Sequence, residues 1–429
     1  MRKLLPLILT LPLLLLAGCG GGGGGGTTTT GPTPPSTPPT QSMATAGPPN
    51  VESMTIDTGP AGLSPPAVNT AYISVTICVP GTQTCETIDH VEIDTGSIGL
   101  RLLASAVGPL PLPAVTDATI NGNPLAECLT FADNTSSYGS VNVADMTLPV
   151  SGEAAANINV QIIGATSAGS QGNASNPACA GTANNTVDTF GANGILGVGP
   201  VLTDCNTAGP CTPGGASAVY YSCPTATSCS GFSATVAEQL QNPVSLFATD
   251  NNGVIVELPT ISPNGAVDPT PAVIVFGIGT QSNNALGSAI KLLADPDTGE
   301  ISATLNGGAA LSAYMDSGSN ANFFTDSSLA TCGPGANSTF YCPTATVTED
   351  VILTGFDGSA PTVGNFNVAD ATTLFSNVTF TAFNDLGAPA FSGSTSTLDL
   401  GLPFFYGHNI YLAIETPSNP TPYFALAAN

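Results

Sequence analysis

One short pattern occurs twice in this chain. Val91 to Leu103 reads VEIDTGSIGLRLL, and Leu311 to Phe324 reads LSAYMDSGSNANFF. Each runs apolar residues into an aspartate, then a small hydroxyl residue, a glycine and a serine. A single Asp-Thr-Gly is an ordinary turn in which the aspartate caps nearby backbone amides. Two of them, a domain's length apart, demand a fold that can bring two carboxylates to one place. Each is followed by an apolar, glycine-bearing segment: FGANGILGVGP at Phe190–Pro200 and TLDLGLPFFYGHNIYLAIE at Thr397–Glu415. The chain therefore reads as a degenerate internal duplication. Each half has an Asp-bearing loop and a glycine strand able to pack close to it.

The rest of the chain suits strands. It has 429 residues, enough for two globular units with sizeable cores. Only 8% are charged, while Gly (49) and Pro (37) punctuate the sequence, which points to an all-β fold with many turns. The best helix candidate is SATVAEQLQNP, Ser233–Pro243, which Pro243 would stop.

The first residues read as a targeting segment. Arg2 and Lys3 precede the apolar run Leu4–Leu16, which is short and interrupted by proline, and the run leads into Leu-Ala-Gly-Cys at 16–19. This resembles a bacterial lipoprotein signal, with residues 1–18 removed and Cys19 lipidated. Gly20 rather than Asp follows Cys19, which favours the outer membrane if the host is Gram-negative. Residues 19–50, rich in Gly, Thr and Pro, are expected to be a disordered tether with a span of roughly 30 Å. The expected location is the cell envelope, with the membrane met only through the lipid.

Charge and cysteine usage narrow the function classes. The formal net charge is −25, with 29 acidic residues against 4 Lys and Arg. Losing Arg2 and Lys3 would leave only Arg101 and Lys291, which excludes nucleic acid as a partner because nothing could replace phosphate counterions. After Cys19, ten cysteines remain, an even number in a compartment that permits disulfides. Local pairing is the simplest assignment: Cys78 with Cys85, Cys205 with Cys211, Cys223 with Cys229 and Cys332 with Cys342, leaving Cys128 and Cys179 as the fifth pair. With no Cys-x-x-Cys and only His90 and His408, neither a metal nor another cofactor is expected.

Taken together, the motifs resemble those of the two-lobed, pepsin-like aspartic peptidases from about Val51 to the C-terminus. DTGS at 94–97 and DSGS at 316–319 resemble the two catalytic loops. NINVQIIGAT at 157–166, NGILGVGP at 193–200, VAEQLQNPVSLFA at 236–248 and AVIVFGIGTQSNNALGS at 272–288 resemble the segments between and after them. The resemblance implies a bilobal double β-barrel with an interlobe cleft, an N-terminal lobe over 51–255 and a C-terminal lobe over 256–429. It implies peptide hydrolysis by a water activated between Asp94 and Asp316. Two carboxylates a hydrogen bond apart cannot both ionise, so one takes a proton from water while the other polarises the substrate carbonyl. By the same resemblance Gly96 and Gly318 allow close approach, Thr95 and Ser317 reach across to the opposite loop, and Ser97 and Ser319 bond the outer carboxylate oxygens. The expected partner is a peptide or protein substrate, and the expected state a monomer.

Three departures stand out. Where the family carries a Trp seven residues after the first Asp, this chain has Arg101, read either as a solvated strand-end residue or as a cation near the cleft. The family's hairpin flap falls in CLTFADNTSSYGSVNVADM at 128–146, where Tyr138 with Gly139 is the first candidate and Phe131 the second. Asp399 replaces an apolar residue before Leu400-Gly401 and places a third carboxylate near the second loop. A pepsin-fold binding lipoprotein with weak or no catalysis is the alternative function.

Overall fold

The computed structural model describes residues 34–165, 179, 181–205, 218–226, 228–335, 337–391, 394–416 and 421–429. The signal segment and Cys19 lie outside them. Pro35 to Asn429 form one compact unit.

As expected, the chain is built from strands, and its described helices are single turns of four residues. Three large sheets account for the body. A ten-stranded sheet holds every strand from Tyr72–Cys78 to Ser228–Phe232, and a seven-stranded sheet lies wholly between Ile301 and Leu400. The third, of six strands, joins Val51–Ser53 to Val273–Phe276, Gly253–Leu258, His408–Ala413, Tyr423–Ala428 and Ile290–Leu293. The expected lobe boundary at 255/256 falls inside its strand Gly253–Leu258.

The duplication is visible in the strand order. In the first half, Cys85–Asp94 runs parallel to Gly194–Val198, with Asp94 opposite Gly197. The other edge of that glycine strand takes Ile98–Leu103 antiparallel, with Gly99 opposite the same Gly197. In the second half, Ala310–Met315 runs parallel to Thr397–Leu400, whose Asp399 is paired with Phe323 on the far side. Each Asp loop thus leaves one edge of a central strand and returns on the other. One large apolar core, with Ile93, Leu196, Met315 and Leu400 wholly buried, runs beneath both loops.

Two expectations are corrected. Ser233–Pro243 is a set of turns, not an α-helix. The Glu238 carboxylate accepts from Thr235 N and Oγ1 at 2.7 Å and caps a single turn, while Pro243 opens a 3-10 turn over Pro243–Leu246. Disorder also does not extend through residues 35–50. Ser36 N donates to Pro361 O, Gln41 N donates to Ala428 O, and Ala44 N donates to the buried Glu257 carboxylate. An extended proline-rich strand lacks internal hydrogen bonds, so its free amides can join the edges of the body.

Four of the expected disulfides are formed: Cys78–Cys85, Cys128–Cys179, Cys223–Cys229 and Cys332–Cys342. Cys205 is also disulfide-bonded, and its expected partner Cys211 lies outside the described residues.

Candidate active site

The two Asp loops meet at the floor of a cavity of about 750 Å³, lined by both Asp94 and Asp316. Within each loop the aspartate is held by its own turn. Gly96 N donates to Asp94 Oδ1 at 2.7 Å, and Ser97 Oγ donates to Asp94 Oδ2. Gly318 N donates to Asp316 Oδ1 at 2.9 Å, and Ser319 Oγ stands 3.1 Å from Asp316 Oδ2. These local bonds are what an isolated Asx turn would make.

The bonds between the loops are not local. Thr95 Oγ1 donates to Met315 O at 2.7 Å and accepts from Ser317 N at 2.9 Å. Reciprocally, Ser317 Oγ donates to Ile93 O at 2.7 Å and accepts from Thr95 N at 3.1 Å. Four hydrogen bonds thus tie the loops together with approximate two-fold symmetry, and both side chains are buried. Glycine is required at the meeting point. A Cβ at Gly96 would lie 2.6 Å from Asp316 Cγ, and one at Gly318 would lie 2.7 Å from Asp94 Oδ1.

The two carboxyls share one site, each lying against the glycine of the opposite loop, and two carboxylates in one site do not both ionise freely. Burial pushes the Asp316 carboxyl well above the usual carboxylate range, and the charge of Asp94 pushes it further the same way. Asp399, the third carboxyl expected from sequence, is 2% exposed. Its Oδ2 lies 2.6 Å from Ser319 Oγ. One hydroxyl proton cannot serve both neighbours. A protonated Asp399 donating to Ser319 frees that hydroxyl to donate to Asp316, and burial holds Asp399 toward its protonated form.

The remaining candidates fall on either side of the cleft wall. Tyr138 and Gly139 do not line it. Tyr138 is paired with Cys128 inside the strand ladder, and its ring packs edge-on against Tyr221. The cavity is instead lined by the tip of that hairpin, Phe131, Ala132, Asp133 and Thr135. Phe131, the second flap candidate, is the aromatic residue there.

Arg101 is neither solvated nor a cleft cation. It is 0% exposed on a strand buried along its whole length. Its Nη2 donates to Glu127 Oε1 at 2.6 Å and to Asp204 Oδ2 at 3.2 Å. The Tyr220 hydroxyl donates to the same Asp204 oxygen at 2.7 Å. His90 pairs with Asp57 and Asp89, His408 Nδ1 lies 2.9 Å from Phe404 O, and neither lines the cavity.

Three lining carboxyls were missed in the sequence: Glu92, Asp133 and Asp188. Glu92 had an available signal, standing two residues before Asp94 on the same strand and therefore on the same face. Aromatic residues Phe323, Phe340, Phe375, Phe380, Phe383 and Phe391 line the second-half wall. Among the described residues, no group of His, Cys, Asp and Glu could hold a metal ion.

Comparison with known proteins adds little detail. No curated protein matches the chain. The crystal structure of an aspartic proteinase from Irpex lacteus is similar, with a TM-score of 0.49 and 16% identity, over 89% of this chain and 98% of that one. Residues 46–426 match the family described as "Protein of unknown function (DUF3443)", and the chain belongs to that family.

Proposed function

We propose that the chain is an aspartic endopeptidase. The observation that carries this reading is that Asp94 and Asp316 line one open cleft, each carboxyl against the glycine of the opposite loop, between loops locked by Thr95 and Ser317. A peptide lying in the cleft would place its carbonyl over the pair. The ionised carboxylate takes a proton from water, the hydroxide equivalent attacks the carbonyl carbon, and the protonated carboxyl donates to the carbonyl oxygen. Return of a proton to the nitrogen breaks the C–N bond and restores the shared proton. The hairpin tip around Phe131 lines the same cavity as both aspartates, which supports an enzyme over a binder, because a hairpin there can exclude water and hold a peptide against the floor.

The test is cleavage of an unfolded protein substrate across acidic to neutral pH. Asp94→Asn and Asp316→Asn should each abolish cleavage, and the double variant should be no worse than either single one, because the two act as a unit. Cleavage that survives either replacement refutes the mechanism. Absence of cleavage with retained peptide binding favours the pepsin-fold binding lipoprotein.

The same reading places the enzyme at the cell envelope on a lipid attached to Cys19, with the Gly-Thr-Pro segment as tether. Cys19→Ala should remove lipid mass from the mature protein, and a parent protein without lipid mass overturns the anchor.

A further inference from the structure

The cleft holds a carboxyl that the proposed chemistry does not use. Glu92 lines the cavity and is 8% exposed. Several other buried carboxyls among the described residues have partners. Glu127 and Asp204 have Arg101, while Asp117 accepts from the backbone amides of Ile120, Asn121 and Gly122 and from Ser222 Oγ. Among the described residues, nothing hydrogen-bonds to or pairs with Glu92; what acts on it is burial and the charge of Asp94. Tyr72 faces it from the neighbouring strand, but its hydroxyl is committed to Gly191 O at 2.7 Å.

The surroundings state what could complete it. The cavity lining carries Glu92, Asp94, Asp133, Asp188 and Asp316 but no Lys, Arg or His. Glu92, Asp133 and Asp188 all come from the first half, and the aromatic wall comes from the second. A cation entering this space would find a carboxyl with no protein partner and a single-sign field. A buried carboxylate without a partner is costly, so burial first and the charge of Asp94 next favour the protonated form of Glu92. An arriving ammonium or guanidinium supplies the missing charge, releases that proton to solvent and leaves an ion pair.

We propose that Glu92 recognises a lysine or arginine side chain of the peptide in the cleft, while the facing phenylalanines take an apolar residue of the same peptide. The proposal rests on the peptidase reading only for where the peptide lies, so it is tested by binding. The full chain carrying Asp316→Asn, which cannot consume its ligand, is titrated with peptides that carry lysine or norleucine at one position at a time. At one position lysine should bind roughly tenfold or more tighter than norleucine, as expected for a hydrogen bond to a charged group. In Glu92→Gln the ratio should fall toward one. Because the ratio is internal to each protein sample, partial unfolding of a variant cancels out of it.

A ratio near one at every position, a ratio that Glu92→Gln leaves unchanged, or failure of every peptide to bind overturns the proposal. Cleavage without lysine or arginine preference defeats this inference alone. Lysine-selective binding without cleavage by the parent protein defeats the peptidase reading alone.

Discussion

Replacing Thr95 by valine removes one oxygen and keeps the shape of the side chain. That oxygen makes two of the four bonds between the loops, donating to Met315 O at 2.7 Å and accepting from Ser317 N at 2.9 Å. Thr95 is 3% exposed and Ser317 0% exposed, so water cannot easily take the place of the hydroxyl. Each backbone group left unpaired in such a site costs about 1–3 kcal/mol. Two of them make Thr95→Val roughly 2–6 kcal/mol destabilising, which for a body of this size is a fall of about 5 °C in the melting midpoint. Thr76→Val is the control, because its hydroxyl meets only the exposed Thr87 hydroxyl at 2.8 Å. The assay is thermal unfolding followed by circular dichroism, with urea unfolding as a second measure. Ser317→Ala should cost a similar amount by the symmetric loss of bonds to Ile93 O and Thr95 N. If Thr95→Val melts with the parent, and no differently from Thr76→Val, the loops are not held together by these bonds and the account of the site fails.

Two further outcomes follow from the buried charges. Arg101→Met should destabilise the fold by about 3–5 kcal/mol in urea unfolding, because it strands Glu127 and Asp204 without a cation; a variant as stable as the parent refutes that role. Stability should also fall as pH rises. Burial raises Glu153 and Glu257 from 4.5 to about 7, so the folded chain binds more protons than the unfolded one in that window, and their stabilisation, complete below 4.5, is lost by about 7. Glu257→Gln, which can still accept from Ala44 N, should shrink the difference in unfolding free energy between the two ends by roughly 3 kcal/mol, and an unchanged difference would sink the assignment.

What the sequence disclosed and what it hid differ in kind. The dyad and its grip were legible because each loop is a contiguous tetrapeptide and the pattern comes twice. Glu92 was legible too, since the two-residue period of a strand puts it beside Asp94, but a carboxyl in a strand reads as a solvated one. Arg101 failed for the same reason in reverse. A lone cation reads as exposed, and its partners Glu127 and Asp204 are 26 and 103 residues away. The flap was assigned to a Tyr-Gly pair, whereas the turn chemistry lay earlier, at Ala132-Asp133-Asn134, where Asn134 takes a φ of 65° and Asp133 accepts from Thr135 N. The helix expected at Ser233–Pro243 shows that apolar spacing over one turn is weak when a glutamate can cap that turn and stop it.

The seam between the two halves and the proposed chemistry use the same atoms, so they cannot be tuned separately. The Asp316 carboxyl is raised by burial first and by Asp94 next, and both depend on how closely the loops approach. That approach is set by two glycines with no room for a Cβ and by two hydroxyls bonded across the seam. Loosening the seam would admit water, weaken the influence of Asp94 on Asp316 and return Asp316 toward ordinary ionisation. A pair that can ionise independently no longer holds one proton between them, and the acid and base roles are lost together. A variant that opens the seam should therefore lose activity at a pH where it is still folded, and the loss should be largest toward neutral pH, where burial and the closeness of the two carboxyls keep the shared proton in place.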